Sequence, residues 1–516
     1  MRLVLTNGQM READAYTIQK LGVPSLTLME RAGEALANAT EMLVNRGRIL
    51  CVCGSGNNGG DGFVCARILK ARGRTVDCLS VGDKESDERK INREKWELVG
   101  GKTYFEFPKK EKYSLIVDCL FGTGFHGACS FESLIEEIKN SGARVLACDI
   151  PSGVNGDSGK VQTCAVKADA TLCIGEVKAG VYLGDGIDYA GKILRADIGI
   201  SLPQNVECYA RVLECEDIAR LVSPRKRNTH KGSYKKAAIV AGSYQYSGAA
   251  YLSSAACLAT AACLRSGAGY TALYLPKSLI PAFMLKLPEA LLKETNEGDR
   301  YEFNEESMRE LLDYEAVAFG MGMGNTSEVK LGAKWLLQNY QGKLILDADA
   351  LNALSDINKS ELKTLFVNKK CDVVITPHIK EFSRLTGEDV ETLLNQGLDV
   401  PKMFAKSHKT TVLLKNAVTT IASESTTAIN VRGTAGQAKG GSGDVLSGVI
   451  AGLCAQGLSA FDGACAGAYL TGRAAELACE KIDEYALLPS DVISYLGGAF
   501  LTLRIPENTD KDSGAQ

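Results

Sequence analysis

The chain has 516 residues, of which 45% are hydrophobic and 23% charged, with a formal net charge of −3. This length predicts roughly two to four domains, and the balanced charge excludes a strongly basic nucleic-acid-binding surface or an acidic tail. The first ten residues lack the apolar core of a signal peptide. No run contains the roughly 20 strongly apolar residues of a membrane span. We therefore expect a cytoplasmic protein that binds neither nucleic acid nor membranes.

The 17 cysteines lie mostly as single residues inside apolar runs. This pattern is typical of buried thiols in a reducing compartment and not of a disulfide framework. Cys51 and Cys53 form a close pair, and their alternation fits the core of a strand better than a metal site. The four histidines are too dispersed along the sequence to predict a zinc site.

The first half opens with a helical pattern and continues as strands that alternate with helices. A helical pattern over residues 11–46 is followed by a buried-strand run at 48–53 and the turn 54–62, which reads GSGNNGGDG. Strand, glycine loop and helix form an arrangement that binds phosphates. The spacing also matches the dinucleotide fingerprint weakly, with Asp77 near the expected acid position. The asparagine amides and the carboxylate of the turn suit instead a polar ligand or a hard cation.

Three apolar strands of the first half end in polar turns that carry Asn58, Asp118 and Asp149. Ligands bind at the carboxyl ends of strands in open α/β sheets. Each aspartate taken alone is explained as a helix cap or a turn former. Three such turns, each directly after an apolar strand, favour one shared site. The basic stretch 221–231 is the predicted linker to the second half.

The second half repeats the alternation of strands and polar turns. Its strands end in the turns GMGMGN (320–325), DADALN (347–352), PHIKE (377–381) and KNAVT (415–419). A last turn, GGSGD (440–444), precedes an uncharged helical run, so its amides are predicted to form a helix N-terminus that attracts an anion. There Asp444 is either a cap of that helix or a base aimed at a hydroxyl beside a bound phosphate.

These motifs resemble one known pairing of domains. The first half resembles the YjeF N-terminal domain, an NAD(P)H-hydrate epimerase, through residues 54–67, 118–124 and 149–154. The second half is similar to the ribokinase-like, ADP-dependent NAD(P)H-hydrate dehydratases, and the matching motifs are HKG (230–232), AGS with SGAA (241–250), GMGMGN (320–325), DADALN (347–352), ITPHIKEFSRLTG (375–387), LLKNAVT (413–419) and AKGGSGDVLSG (438–448). The resemblance covers nearly the whole chain and indicates a bifunctional NAD(P)H-hydrate repair enzyme family.

The resemblance implies an α/β fold in two domains. Residues 1–220 would form a Rossmann-like three-layer α/β/α epimerase domain, residues 225–506 a ribokinase-like α/β/α dehydratase domain, and residues 507–516 a flexible tail. The implied function is the repair of damaged nicotinamide cofactors. The R and S hydrates, NADHX and NADPHX, would interconvert, and the S form would be dehydrated at the expense of ADP, giving AMP and phosphate. We expect these small molecules as partners and a homo-oligomer as the assembly.

In the first domain, the resemblance assigns residues to a substrate site and a potassium site. Potassium (K⁺) would bind Asn58, Asp118 and Ser152, and Asp149 would be the acid/base residue. The residues implied to contact the hydrate are Asn57, Asn58, Gly59, Gly60, Asp61, Gly122, Thr123, Gly124, Phe125, His126, Gly127, Ala128 and Asp149. Epimerisation at C6, by ring opening or by loss and return of water, needs proton transfers and electrostatic support. One carboxylate and a fixed cation can supply them.

In the second domain, the resemblance implies that Asp444 deprotonates the C6 hydroxyl as it attacks the terminal phosphoryl group of ADP, which is bound with Mg²⁺. Phosphorylation makes the hydroxyl a good leaving group, and glycine amides stabilise charge on the transferring group. The residues implied to bind the nucleotide are Lys415, Asn416, Ala417, Val418, Thr419, Gly441, Ser442 and Gly443. Those implied to contact the hydrate are Ala249, Ala250, Gly322, Gly324, His378 and Asp444.

Several of these residues also have simpler explanations. His378 fits a loop histidine bonded to the backbone, and Lys415 fits a solvated lysine. Asp347 and Asp349 are either helix caps or neighbours of a magnesium ion held mainly by phosphates. The family usually has a glycine three residues after HKG, where this chain has Lys235. That departure concerns the first turn of the second domain and not its active site.

Two other functions compete with cofactor repair. The GxGD turn also serves small-molecule kinases, in which case the first half would be a ligand-binding regulator. A Rossmann-like nucleotide sensor would need no catalysis at all. The upstream NNGGDG, DCLFGTG and DIPSG motifs argue against a kinase, which has no need of them. Asp444 argues against a sensor because pure anion binding disfavours a carboxylate at the anion site.

Overall fold

The structure is a computed structural model. It describes residues 2–82, 85–125, 127–203, 206–243 and 249–504, and for residues 249–254 it describes the backbone alone. Two compact units are present: Arg2–Arg211 with Leu394–Gly397, and Val212–Leu393 with the described residues from Leu398 on. The expectations for His126 and for the tail 507–516 lie outside the described residues, as do those for the side chains of Ala249 and Ala250.

The first unit is an α/β domain. Its helices and strands in chain order are β1 (Arg2–Leu5), α1 (Asn7–Gln19), α2 (Ser25–Leu43), β2 (Ile49–Cys53), α3 (Asn57–Ala71), β3 (Val76–Ser80), α4 (Asp87–Leu98), β4 (Lys102–Tyr104), β5 (Leu115–Cys119), α5 (Glu132–Asn140), β6 (Arg144–Cys148), β7 (Ala170–Ile174), β8 (Val177–Lys178), α6 (Gly186–Ala190) and β9 (Lys192–Ala196).

Seven of these strands form a parallel sheet in the order β4-β3-β2-β5-β6-β7-β9. Strand β1 pairs in parallel with β8. The sheet order reverses between β2 and β5, because β3 lies on one side of β2 and β5 on the other. Such a reversal leaves a crevice at the carboxyl ends of the two central strands, where open α/β sheets bind ligands.

The helical pattern over residues 11–46 forms two helices rather than one. Gly22 has a φ of +73°, and Pro24 stands at the N-cap of α2. Proline at that position fixes φ and has no N–H to donate, so α1 and α2 are separate elements. Leu28, Ala32 and Leu36 recur at helical spacing along α2 and are buried in the core.

A layer of thiols lies in the core of the first unit. Six cysteines belong to one buried cluster and have no exposed surface: Cys51, Cys53, Cys65, Cys78, Cys119 and Cys148. All 17 cysteines of the chain are free thiols. The expectation of buried thiols without a disulfide framework is therefore confirmed. Strands β2, β5 and β6 each end on one of these cysteines, so the turns that follow start from a fully packed core.

The second unit is also an α/β domain. The division between the units falls within β10 (Ala210–Val212), and the later elements are α7 (Cys215–Leu221), β11 (Lys236–Val240), α8 (Ala249–Arg265), β12 (Tyr270–Leu275), α9 (Ile280–Met284), β13 (Leu291–Glu294), α10 (Glu305–Glu310), β14 (Ala316–Phe319), α11 (Ser327–Asn339), β15 (Lys343–Leu346), α12 (Asp349–Ser355), α13 (Lys359–Val367), β16 (Asp372–Ile375), α14 (Ile379–Thr386), α15 (Val390–Asn395), α16 (Asp399–His408), β17 (Thr411–Leu414), β18 (Thr419–Ala422), β19 (Thr427–Asn430), α17 (Ser442–Ala455), α18 (Ala460–Cys479) and α19 (Pro489–Thr502).

The strands of the second unit follow the order β13-β12-β11-β14-β15-β16-β17-β18-β19. They are parallel up to β17, and β18 and β19 continue the sheet antiparallel. Alternate residues of β14 enter two different cores, with Ala318 in one and Phe319 in the other. Since successive side chains point to opposite faces of a sheet, both faces are covered. The predicted fold class, two α/β domains, is confirmed.

Helix α17 packs closely on α8 in one of these cores. A Cβ atom added to Gly448 would lie 2.1 Å from the backbone oxygen of Ala259, so only glycine fits at this crossing. Val445 and Val449 of α17 are buried against the alanines of α8. This packing fixes the position of the helix that begins at the GGSGD turn. Among the described residues, no helix is long and apolar enough to cross a membrane.

Lys235 occupies a strained turn at the start of the second unit. Its φ of +58° and ψ of −167° lie in a region that is essentially restricted to glycine. The turn is held on both sides, because the N–H of Lys235 donates to Gly232 O at 3.3 Å and its carbonyl accepts from Tyr270 N–H at 3.1 Å. The position where the family usually has glycine therefore demands a glycine conformation, and this chain places a lysine there.

Candidate active sites

A cavity of about 700 Å³ lies at the carboxyl ends of β2 and β5 in the first unit. The residues predicted to hold the hydrate that line this cavity are Asn57, Asn58, Asp61, Gly122, Thr123, Gly124, Phe125, Ala128 and Asp149. Gly59 and Gly60 instead face the interior: an added Cβ would lie 2.0 Å from Gly54 O in the first case and 2.6 Å from Met29 Sδ in the second. Gly127 is exposed.

Asp149 follows β6 on strained backbone. Its φ is +72°, and the N–H of Ile150 donates to Cys148 O at 2.9 Å across it. This is a γ-turn of the rare, positive-φ kind. Oδ1 of Asp149 accepts from Ile174 N–H at 3.1 Å. Oδ2 faces Gly122, where an added Cβ would lie 3.7 Å away. One carboxylate oxygen is thus fixed by a donor, and the other faces the loop that lines the cavity.

Lys178 of β8 is the direct charge partner of Asp149. Its Nζ donates to Oδ1 of Asp149 and to Ile174 O at 2.6 Å. Lys178 is 1% exposed. Burial acts to lower the pKa of Lys178, but Asp149, together with Cys173 and Asp14, raises that pKa above its usual value. Sequence reasoning missed Lys178; the available signal was a lysine flanked by the apolar residues Val177 and Ala179.

Two further carboxyl groups line the same cavity: Asp14 from α1 and Asp61 from α3. Burial raises the pKa of Asp14 to about 6; Lys178 lowers it and Asp149 raises it. Burial also raises the pKa of Asp61, and the charges of Asp149 and Asp14 add to this effect. Asp14 was not predicted from the sequence. Its one signal is its place beside Met10, Ala13 and Thr17, the buried stripe of α1.

The residues predicted to bind potassium meet beneath this cavity. The Ser152 hydroxyl donates to Asp118 Oδ1 at 2.6 Å, and the Ser152 N–H donates to Oδ2 at 2.8 Å. The Asn58 amide donates to Phe121 O at 2.8 Å. Burial raises the pKa of Asp118, which has no exposed surface. In the part of the chain that the structure describes, no cluster of three His, Cys, Asp or Glu residues suits a metal ion. One carboxylate with amide, hydroxyl and carbonyl oxygens is a donor set that fits a hard cation.

Asp77, the acid of the weak dinucleotide fingerprint, lies elsewhere. Arg48 Nε donates to Asp77 Oδ2 at 2.6 Å, and the Tyr113 hydroxyl donates to the same oxygen at 3.0 Å. Asp77 is 2% exposed and does not line the cavity. The carboxylate is fully occupied by core partners and is therefore unsuited to bind a ribose.

Asp444 lies in the first turn of α17, in the second unit. Gly441 is the N-cap with a φ of +99°, and Val445 N–H donates to Gly441 O at 3.1 Å. The N–H groups of Gly443 and Asp444 have no hydrogen-bond partner among the described residues. The predicted helix N-terminus is confirmed. The Asp444 carboxylate likewise makes no hydrogen bond within the described part of the chain, so it does not act as a cap.

The Asp444 carboxylate is poised to gain or lose a proton near neutral pH. Burial raises the pKa of Asp444 to about 7; the negative charge of Asp347 adds to this rise, and Lys415 opposes it. A carboxyl group with such a pKa is half-ionised at neutral pH. That is the condition under which a general base combines a useful ionised fraction with useful basicity.

Lys415 is held next to the free amides by a buried acid. Its Nζ donates to Asp347 Oδ1 at 2.9 Å, and Ser447 Oγ donates to Asp347 Oδ2 at 2.7 Å. Asp347 is 1% exposed. Lys415 Nζ lies beside α17, since a Cβ atom added to Gly443 would be 3.0 Å from it. Lys415 is therefore not a solvated lysine, and Asp347 positions a lysine rather than capping α12.

The DADALN turn stores backbone strain. Ala348, between Asp347 and Asp349, has a φ of +49° and a ψ of −114°, which a side-chain-bearing residue adopts only under strain. Oδ2 of Asp349 accepts from Gly324 N–H at 2.7 Å, which joins this turn to the GMGMGN turn. Gly322 and Gly324 both have positive φ. The two predicted loops are thus connected at the end of β14 and β15.

His378 is the N-cap of α14. Its Nδ1 accepts from Lys380 N–H at 3.1 Å and from Glu381 N–H at 3.2 Å, so Nε2 carries the ring proton. Burial, together with the charge of Lys415, lowers the pKa of His378. An isolated bridge pairs His378 with Lys415. The simpler explanation, a histidine bonded to backbone, describes these contacts, and Nε2 lies 3.5 Å from Glu381 Oε1.

The other predicted nucleotide residues lie near the same strand end. Asn416, Ala417 and Val418 form the turn between β17 and β18, and Thr419 begins β18. Ser442 is the first residue of α17. The two alanines predicted to contact the hydrate, Ala249 and Ala250, begin α8.

Comparisons with known proteins match both units. Residues 25–180 match the family described as YjeF-related protein N-terminus, and residues 237–497 match the family described as NAD(P)H-hydrate dehydratase. The chain is 34% identical to the bifunctional NAD(P)H-hydrate repair enzyme Nnr of Thermofilum pendens, over 96% of each chain. It is 32% identical to the protein of the same name from Escherichia coli K12, over 98% of this chain and 94% of that one.

A solved structure, the ADP/ATP-dependent NAD(P)H-hydrate dehydratase of Bacillus subtilis co-crystallised with ATP and Mg²⁺, is 27% identical. The match covers 57% of this chain and 99% of that chain, with a TM-score of 0.49.

Proposed function

The chain belongs to the family of bifunctional NAD(P)H-hydrate repair enzymes, and on that premise we propose which residues carry each reaction. The protein is an NAD(P)H-hydrate dehydratase and epimerase. We assign the epimerase to residues 1–220 and the dehydratase to residues 225–506, with 507–516 as a tail. The hydrates NADHX and NADPHX are the substrates, and ADP is the proposed phosphoryl donor.

The observation that carries the dehydratase assignment is the position of Asp444. An unpaired carboxyl group with a pKa of about 7 lies beside two free amides at a helix N-terminus. In the proposed reaction, Asp444 takes the proton of the C6 hydroxyl while the hydroxyl oxygen attacks the terminal phosphorus of ADP. The bond to the bridging oxygen breaks and AMP leaves. The C6–O bond then breaks, phosphate departs with the electron pair, and loss of a proton from C5 restores the C5=C6 double bond.

The charge on the transferring phosphoryl group needs donors that are already in place. The Gly443 and Asp444 N–H groups and the Lys415 ammonium meet this requirement, because Asp347 and Ser447 fix the lysine beside the helix. We extend the nucleotide site to Asn416–Thr419, Gly441 and Ser442. The Nε2–H of His378 is a donor suited to the hydrate, and Gly322, Gly324, Ala249 and Ala250 complete the proposed hydrate pocket.

Mg²⁺ is usually held mainly by nucleotide phosphates with few protein ligands. Asp349 fits this role, because one of its carboxylate oxygens is used by Gly324 N–H and the other is available. Asp347 is fully engaged with Lys415 and Ser447. When bound, the metal neutralises phosphate charge during transfer.

The epimerase proposal rests on the cavity of the first unit. Asp149 is the proposed acid/base residue, since one of its oxygens is fixed by donors and the other faces the cavity loop. Asn58, Asp118 and Ser152 are the proposed K⁺ ligands, supported by the oxygen donors gathered there. A bound cation would stabilise negative charge on the substrate without taking part in proton transfer. The rest of the proposed substrate site comprises Asn57, Gly59, Gly60, Asp61 and 122–128.

A single assay tests both activities. The protein is incubated with a mixture of R and S NADH hydrate, ADP, Mg²⁺ and K⁺, and the recovery of reduced-nicotinamide absorbance is followed. We expect complete conversion of both epimers. Replacing K⁺ by a large organic cation should slow conversion of the R form alone. Absence of recovery with ADP and with ATP would reject the dehydratase. A phosphorylated hydrate that accumulates without dehydration would indicate a kinase instead.

We also propose a cytoplasmic location and a homo-oligomer. The location is supported by 17 free thiols, which persist in a reducing compartment. Light scattering of the purified full chain tests the assembly, and a mass equal to 55.1 kDa would reject the oligomer.

A further inference from the structure

We propose that Asp14 is a second proton-transferring residue of the epimerase and works together with Asp149 in the first-unit cavity. This inference rests on the function proposed above for that unit. The observation that carries it is a charge imbalance among the residues that line the cavity. Three carboxyl groups, from Asp14, Asp61 and Asp149, share it with a single ammonium group, that of Lys178, among the described lining residues.

The one positive charge is already committed. Lys178 contacts Asp149 Oδ1 and donates to Ile174 O at 2.6 Å, and it has almost no exposed surface. Asp14 makes no hydrogen bond or ion pair with the part of the chain that the structure describes. A second ionised carboxylate in a buried cavity would repel that of Asp149 and lose hydration. The structure therefore distinguishes an ion-paired carboxyl group, that of Asp149, from one without a partner among the described residues, that of Asp14.

Epimerisation at C6 needs both kinds of group. When the ring opens, the C6 hydroxyl loses its proton and the C6–N1 bond breaks. The electron pair of that bond goes to N1, which takes up a proton. Closing the ring on the other face of the new carbonyl reverses both transfers. Loss of water instead requires a proton on the departing hydroxyl, and its return requires removal of one. Either route balances with one proton acceptor, one proton donor and no further reactant.

Two carboxyl groups in different environments are a common solution to this requirement. Asp149 comes from the end of β6 and Asp14 from α1, and both line the one cavity. Arg11 of α1 reaches Thr123 O at 3.5 Å. This contact ties α1 to the loop that faces Asp149 Oδ2.

The charged groups that act on Asp14 are Lys178 of β8 and Asp149 after β6. Asp14 in turn acts on Asp61 of α3. Burial raises the pKa of Asp14 to about 6 and raises that of Asp61 well above its usual value. Asp14 can give up and regain a proton near the working pH, and Arg11 of the same helix contacts the loop that faces Asp149 Oδ2. We therefore assign the transfer to Asp14 and use Asp61 for comparison.

The test uses the full chain with Asp14→Asn, Asp14→Glu and, for comparison, Asp61→Asn. We expect Asp14→Asn to lower kcat for epimerisation roughly 100-fold with little change in KM. Dehydration of pure S hydrate, carried out by the other unit, should be unchanged, and circular dichroism with thermal denaturation reports whether the first unit is folded. In the wild type, kcat/KM for epimerisation should fall as pH rises above about 6, because Asp14 loses its proton. Asp14→Asn should lack this descending limb, and Asp14→Glu should keep it at reduced rate and displaced pH.

Three outcomes would overturn the inference. One is a wild-type epimerisation rate in Asp14→Asn. Another is a reduced rate with an unchanged descending limb, which a merely structural residue would give. The third is loss of the limb in Asp61→Asn but not in Asp14→Asn. Should Asp14→Asn fail to fold, an undisplaced limb in Asp14→Glu decides against the inference. A wild-type protein that does not epimerise at all contradicts the proposed function instead, and it is seen before any variant is made.

Discussion

The two sites combine the same residue types, aspartate and lysine, in opposite ways. In the first unit, Lys178 contacts the candidate catalytic carboxylate of Asp149 directly. In the second unit, the lysine is held by another acid, Asp347, and the candidate base Asp444 has no direct partner. A direct ion pair favours the ionised carboxylate, whereas burial without a partner favours the protonated form. The partner of the lysine, and not the presence of a lysine, therefore distinguishes the two carboxyl groups.

Both sites also rest on strained backbone. Asp149 occupies a positive-φ γ-turn, and Ala348 lies in a strained conformation between two aspartates. Strain of this kind costs of order 1–3 kcal/mol and persists only where surrounding structure imposes it. At Asp149 the imposing contacts are the hydrogen bonds from β7. At Ala348 they are the bonds of Asp347 and Asp349 to Lys415 and Gly324.

The largest expected effect comes from Asp444→Asn. Without a group to accept the hydroxyl proton, we expect dehydration of S hydrate to fall about 1,000-fold, within the range for removal of a general base. Exchange between R and S hydrates should stay intact, measured by chromatography of the epimers without ADP. Asp299→Asn, an exposed aspartate of the same unit, is the matched control. Parallel loss of both activities in a folded protein would contradict the division of labour.

The corresponding change in the first unit, Asp149→Asn, should have a smaller effect. We expect epimer exchange to fall about 100-fold, because the uncatalysed exchange and the remaining cavity groups still act. Dehydration of pure S hydrate should be unchanged. Asp188→Asn, exposed in α6, serves as control. An unaltered rate of conversion of R hydrate at low enzyme concentration would refute the assignment.

The pH dependence of dehydration should distinguish the role of Asp444 from that of Asp347. Since Asp444 acts as a base with a pKa of about 7, kcat/KM for S hydrate should rise as pH increases through about 7. Asp347→Asn removes a negative charge that raises this pKa, so the ascending limb should move to lower pH. Steady-state rates of the variant between about pH 5 and pH 9, on both sides of the Asp444 pKa, give the position of this limb. A limb that stays in place would show that another group controls it.

Asp444 should also destabilise the fold at alkaline pH. Its pKa in the folded protein is about 7, above the value of about 4 for an unfolded chain. The folded state therefore binds the proton more tightly, and this stabilisation is complete below about pH 4 and is lost as pH rises through about 7. At pH 8 we expect Asp444→Asn to raise the free energy of unfolding above that of the wild type by up to about 4 kcal/mol, because a difference of about three between the two pKa values corresponds to that free energy. Its Tm should rise accordingly. The difference should shrink at pH 5, and the same difference at both pH values would contradict the explanation.

The smallest effect is expected at Lys235, outside both sites. Lys235→Gly should relieve a glycine-only conformation and raise the free energy of unfolding by about 1 kcal/mol, with both activities unchanged. Lys235→Ala is the matched control, because it removes the exposed ion pair with Glu315 at 3.5 Å but keeps the strain. Chemical denaturation of the three proteins makes the comparison. Equal stability of the glycine and alanine variants would reject backbone strain as the cause.

Much of the fold was predictable because apolar strands and glycine-rich turns leave a local signature. The helix N-terminus at Gly441–Asp444 and the buried cysteines follow from the residues themselves. The helical pattern over residues 11–46 is divided into two helices, because Gly22 and Pro24 interrupt an otherwise continuous apolar pattern. Asp77 fitted the dinucleotide fingerprint by spacing alone. Its partner Arg48 is 29 residues away in sequence, so the spacing could not indicate that the carboxylate is already paired.

The sequence by itself determined two α/β domains, the turns that end their strands and the family to which they belong. These follow from the spacing of apolar residues and glycines, which act locally along the chain. Only the tertiary structure decided that Asp149 pairs with Lys178, that Asp347 holds Lys415, and that Asp14 enters the first cavity. Each of these facts joins distant segments, and a carboxyl group's proton affinity depends on the charges and burial that such segments bring to it.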